Sequence, residues 1–120
     1  MSYLASAPVK TGWKMQPSQF ASSLIQDWPA AKIRDHTFAF PFALDWEIEM
    51  PGGLLLGDFS DDPLGISVDG AFDDCAAFAV WFRSLVPPQQ PLLFYDQGFN
   101  VDVPLTSKTT VEDLRAAFDE

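Results

Sequence analysis

The chain has 120 residues, with 17 Asp and Glu against 7 Lys and Arg for a formal charge of -10, and 48% of its residues are hydrophobic, 11 Phe and 4 Trp among them. That balance argues against nucleic acid and anionic membrane as partners, because concentrated negative charge is repelled by both, and it is too apolar and aromatic for a disordered acidic tail. The length suits one domain spanning 1–120, able to bury about two thirds of the surface its unfolded form exposes.

Residues 1–14 mix small, polar and aromatic types without a period and predict an irregular N-terminal arm, in which Trp13 either caps the core or stands out as an anchor. Pro17 is suited to a first helical turn, and Phe20, Leu24 and Trp28 recur at i, i+4 and i+8, so a helix is predicted over 17–28, ending before Pro29. From 38 to 50 every even position is apolar (Phe38, Phe40, Phe42, Leu44, Trp46, Ile48, Met50), which is strand periodicity. The odd positions then set Asp45, Glu47 and Glu49 on one side of the sheet. Pro51-Gly52-Gly53 turns the chain, and residues 54–56 and 64–68 predict two more strands joined by an acidic loop over 57–63.

The stretch 71–86 contains no proline, and Cys75, Phe78, Ala79, Phe82, Leu85 and Val86 share one helical face, with Asp73 and Asp74 at the favourable end of the helix dipole. Pro87-Pro88 ends it. Residues 92–95 and 99–103 predict a hairpin around Asp96-Gln97-Gly98, and Thr109 to Glu112 has the spacing of a capping box ahead of a helix carrying Val111, Leu114 and Phe118 on one face.

The fold class is therefore α+β: a single two-layer domain, order α-β-β-β-α-β-β-α, with a mostly antiparallel sheet and helices packed on it. This element order, with the small size and acidity, resembles the secretion chaperone-like fold typified by type III secretion chaperones, which implies a small, cytosolic, usually dimeric binder of another protein. Small acidic immunity proteins, which plug a basic toxin active site, are similar in size and charge.

Catalytic and metal chemistry find little to build on. Asp58, Asp61 and Asp62 with Asp69, Asp73 and Asp74 do not reproduce the alternating acids, sixth-position glycine and twelfth-position glutamate of a calcium loop, and are read as solvated turn and helix-start acids. His36 is the only histidine, which rules out a multi-histidine centre within one chain. It is read as a surface residue. Cys75 is the only cysteine, so no intrachain disulfide forms, a reducing cytosolic setting fits, and its position on the core face predicts an inert thiol. Glu47 and Glu49 have the spacing of an acid pair, but ordinary alternation on a solvated sheet face produces the same spacing. The glycines match no nucleotide loop, and no apolar run is long enough for a secretory or membrane-spanning segment. No metal or cofactor is called for.

The main clue is the distribution of charge. Over 35–82 there are ten carboxylates and no Lys or Arg, whereas residues 1–34 hold Lys10, Lys14, Lys32 and Arg34 against Asp27 alone. Such a block attracts basic protein surfaces. The expected function is non-enzymatic binding of a basic protein partner through Asp45, Glu47, Glu49, Asp58, Asp61 and Asp62, with Trp81 as an aromatic hot spot. The helix over 72–86 also carries Ala77, Val80 and Trp81 on its second side, leaving Asp73, Arg83 and Ser84 for hydration. A helix so apolar is covered either within its own domain or by another chain, as in a homodimer through 72–86. The alternatives are a small carboxylate-dependent hydrolase or isomerase, which requires a pocket containing an acid of raised pKa, and a structural subunit whose acidity serves solubility.

Overall fold

The computed structural model describes residues 2–7, 15–35, 44–61, 64–98 and 100–118. Its elements run β1 (Ser2–Ser6), α1 (Pro17–Asp27), β2 (Lys32–Asp35), β3 (Leu44–Met50), β4 (Gly53–Asp61), β5 (Leu64–Asp69), α2 (Phe72–Ser84), β6 (Leu93–Asp96), β7 (Asp102–Pro104) and α3 (Val111–Phe118). The predicted order is present, with β1 and β2 added to it. The strands form one seven-stranded sheet in the order β2-β3-β4-β5-β1-β6-β7, every described pairing antiparallel.

Of the alternating segment, Leu44, Trp46 and Ile48 are buried as the pattern requires, while Phe38, Phe40 and Phe42 lie outside the described residues. The buried face meets all three helices. Phe20 of α1 stacks on Phe59 at 4.5 Å and leans on Trp46 at 5.1 Å, Phe78 of α2 stacks on Trp46 at 5.2 Å, and Phe118 of α3 meets Tyr3 and Phe94 at 5.8 and 5.5 Å. Offset and edge-on rings at such distances add to the burial of their area.

Two stretches depart from expectation. Residues 2–6 are not an irregular arm but an interior strand, since β1 lies between β5 and β6 and joins the β2–β5 meander to the β6–β7 hairpin. Tyr3 and Ala5 face the core, and hydrogen bonding on both sides stabilises a strand whose serines and alanine carry little strand preference of their own. Likewise residues 57–61 continue β4 instead of looping, because Gly57 to Asp61 pair with Val68 to Leu64 and Phe59 fills the core. Pairing and one buried ring outweigh the poor strand preference of Gly, Asp and Ser.

The helix boundaries have local causes. The Gln16 N–H donates to Gln19 Oε1 at 3.0 Å at the start of α1, and the Trp28 N–H closes its last turn on Leu24 before Pro29. The capping box of α3 is one residue beyond the predicted one: Thr110 and Asp113 exchange bonds of 3.0 and 3.1 Å, while the Thr109 hydroxyl is engaged by the Thr106 N–H at 2.8 Å.

Gly57 stands opposite Trp46 in the ladder, and a Cβ there would overlap the indole ring. Gly57→Val is expected to cost about 1–3 kcal/mol by overpacking. Leu56→Ala, on the other face of the same strand, should fall within about 0.5 kcal/mol of wild type. Urea unfolding measures both, and equal losses would contradict this packing.

Candidate functional site

All three helices cover one face of the sheet, so alternation leaves the other face to the residues between the buried ones. On β3 these are Asp45, Glu47 and Glu49; on β4, Leu54, Leu56 and Asp58; on β5, Ser67 and Asp69. The register sets Asp45 beside Asp58, Glu47 beside Leu56 and Glu49 beside Leu54. Leu54 is 50% exposed and Leu56 44%, which makes an apolar centre bordered by acids.

The acidic border is partly compensated. β2 pairs with β3 so that Lys32 stands beside Glu47 and Arg34 beside Asp45, with Arg34 Nε 2.9 Å from Asp45 Oδ1. The stretch free of basic residues is thus free of them in sequence and not in space. At an exposed site this ion pair orients its partners more than it stabilises the fold.

Two shallow depressions flank the row that contains Leu56. One, of about 300 Å³, is bordered by Arg34, Asp45, Asp58, Ser67 and Asp69 over Gly57; the other, of about 230 Å³, by Lys32, Glu47, Glu49 and Leu54. In the first, partial burial and then the neighbouring Asp45 charge push the Asp58 carboxyl up to about 6.

Four of the sequence-predicted residues, Asp45, Glu47, Glu49 and Asp58, therefore come together on this face. Asp61 ends β4 opposite Leu64, and Asp62 lies outside the described residues, as do Trp13 and His36. Trp81 does not join the face: it sits on α2, in the helix layer, where its indole N–H donates to Asp27 Oδ2 at 2.7 Å and its ring meets Phe20, Trp28 and Phe78. The second side of α2 is in this way flanked by α1, and its N-terminal turn by α3 through the Phe72–Phe118 contact and the Asp73–Arg115 pair.

Arg83, expected to hydrate α2, is instead 3% exposed and donates to the carbonyls of Val86, Pro87 and Pro88, tying the chain that leaves the helix. Burial lowers its pKa, and among the described residues carbonyl dipoles rather than a counter-ion hold the cation. Asp74 is also buried and accepts the Gly52 N–H at 2.9 Å, fastening the β3–β4 turn to α2. Burial pushes the Cys75 thiol up to about 12. A thiol held so far above neutral pH is a poor nucleophile.

Leu54, Leu56, Lys32 and Arg34 are the members of the surface that sequence reasoning missed. A signal for the leucines exists, since three consecutive apolar residues on a strand with one covered face must send at least one of them outward. Among the described residues no group of three or more His, Cys, Asp or Glu is arranged to hold a metal ion, and no helix is long and apolar enough to cross a membrane. No protein-family model, curated protein or solved structure matches the chain.

A native Asp58 pKa of about 6 stands above the ordinary 3.8, so the native state keeps the extra proton between those values. The stability linked to that proton is fully present below the ordinary pKa and is lost as pH rises through about 6. Asp58→Asn is therefore expected to exceed wild type at pH 7.5 by on the order of 1 kcal/mol, a figure reduced for solvent screening, and to match it at about pH 3.5. Urea unfolding at the two pH values checks this, and equal stability at the higher one would contradict it.

Proposed function

We propose that this chain is a non-enzymatic protein-binding domain whose open sheet face docks a basic protein partner. The observation that carries the reading is the pair of half-exposed leucines, Leu54 and Leu56, enclosed by Asp45, Glu47, Glu49, Asp58 and Asp69 on the face opposite the three described helices. An apolar centre with a charged border is the arrangement in which desolvated contacts supply affinity while the border sets approach and partner choice. Lys32 and Arg34 at the β2 edge disfavour partners that are basic throughout and select one with an acid at that margin.

Within this class, the cover that α1 and α3 give to α2 favours the immunity-like form, a single chain with one cognate partner, over the chaperone-like homodimer through 72–86. One observation favours a second reading. Asp58, with its raised pKa beside Asp45 in the 300 Å³ depression, has the environment of a general acid in a small carboxylate-dependent hydrolase or isomerase.

Immobilised wild type, Glu47→Lys/Glu49→Lys and Leu56→Asp, each presented to native cell lysate at low and high salt, separate these readings. One basic protein held by wild type at low salt, shed at high salt and lost from both variants is the expected result. Identical captures by all three would remove this face from the function and turn the search to small molecules at Asp58.

A further inference from the structure

Where β1 begins and β6 ends, the first turn of α2 and the Arg115 to Phe118 end of α3 border a cavity of about 540 Å³. It lies on the helix side, apart from the face assigned above to a protein partner. Among the described residues three rings line it. Tyr3 meets Phe72 at 5.2 Å and 82° and Phe118 at 5.8 Å and 78°, and Phe72 lies 5.4 Å from Phe118. Phe94, fully buried, stacks beneath Tyr3 at 5.6 Å, so the aromatic wall is backed by core and does not collapse when the cavity fills.

The charged groups among the described lining residues are Asp73, Arg115 and Asp96. Arg115 spends its charge on Asp73, with both Nε and Nη2 3.2 Å from Oδ1. Asp96 is differently placed. Its Oδ1 accepts the Asn100 and Val101 N–H groups at 2.8 and 3.1 Å, and its Oδ2 accepts the Asn100 amide at 3.0 Å. These turn bonds hold the carboxyl below its usual range, led by the Val101 N–H, so it is ionised at neutral pH. The Asp96 N–H adds a fourth bond, and all four donors are neutral, so the bonds fix the carboxylate in place without cancelling its charge. The cavity thus has an aromatic wall, a neutralised ion pair on one side and, on the other, an anion with no ion-pair partner among the described residues.

A site of this volume takes a small organic molecule or one long side chain. An anionic ligand meets Asp96 and finds Arg115 already engaged, while a neutral one leaves Asp96 without a charged donor. A cation on an apolar body satisfies both halves, because ammonium and guanidinium groups are attracted to carboxylates and to ring π systems alike. We propose that this cavity binds an amphipathic organic cation, an ammonium or guanidinium carried on an aromatic or methylene body, with its charge at Asp96 and its body against Tyr3, Phe72 and Phe118. The cation comes either as a free amine or as a Lys or Arg side chain of a bound protein, and the chemistry of recognition is the same.

The test is a titration of the 120-residue chain followed by amide NMR, with benzylammonium, benzyl alcohol and phenylacetate as probes of one shape and three charges. Benzylammonium is expected to give saturable shifts at Tyr3, Phe72, Asp96, Arg115 and Phe118, and to bind about tenfold or more tightly than either other probe. Asp96→Asn should remove about that same factor, while the charge comparison on wild type stands whether or not the variant folds. Nα-acetyl-lysine methylamide distinguishes the sources: binding as tight as benzylammonium marks a protein side chain as the ligand, weaker binding marks a free amine, and both outcomes support the site. Phenylacetate binding equally well, shifts confined to other residues, or no saturation by about 10 mM would overturn it.

Discussion

The contact on which the rest of the structure depends is that of the Trp46 indole with the two helices above it. It is 1% exposed, leans on Phe20 of α1, stacks on Phe78 of α2 and rests against Gly57, the one strand position opposite it where no side chain stands in the way. Packing holds it, since its Nε1–H has no hydrogen-bond partner among the described residues, a cost of about 1–3 kcal/mol that the surrounding apolar contacts must exceed. Because strand side chains alternate, turning Trp46 inward turns Asp45 and Glu47 outward, and a register slip of one residue would invert the arrangement. The surface chemistry of the open face is in this sense a consequence of one buried ring.

Local patterns that were strong in the sequence carried through to the structure, and weak ones were decided by long-range pairing. The i, i+4 series of Phe20 and Leu24, the alternation of Leu44, Trp46 and Ile48, and the apolar face of α2 each expressed a burial demand larger than any competing preference. β1 had no such signal, because Ser2, Leu4 and Ser6 contribute nothing to a core and only its partners on both sides make it a strand. The extension of β4 through Asp58 was hidden for the opposite reason, as turn-prone residues there are overruled by pairing with β5. Arg83 was misread because an arginine on a helix is usually solvated. Nothing local announces that three carbonyls from Val86 to Pro88 will fold back onto it.

The candidate surface was legible in half. Strand alternation was enough to align Asp45, Glu47 and Glu49, but the leucines beside them and the cations of β2 belong to neighbouring strands whose register is a property of the fold. That register changes the electrostatic picture. A block of acids long in sequence becomes a bordered patch with Arg34 bound to Asp45 at one edge, better suited to selecting a partner than to attracting every basic surface. Trp81, the aromatic assigned to the same surface, instead joins α1 to α2 through Asp27, so the apolar contacts available on the open face are Leu54 and Leu56.

The central claim is that partner binding uses the open sheet face and not the helix layer. The most direct measurement is carbodiimide labelling of carboxylates, read by mass spectrometry, on the free chain and on the chain bound to the protein it captures. Binding at the open face predicts protection of Glu47, Glu49 and Asp69, with Asp27, Glu112 and Asp113 of the helix layer labelled as in the free chain. Protection of the helix-layer acids, with the sheet acids labelled as before, would contradict it.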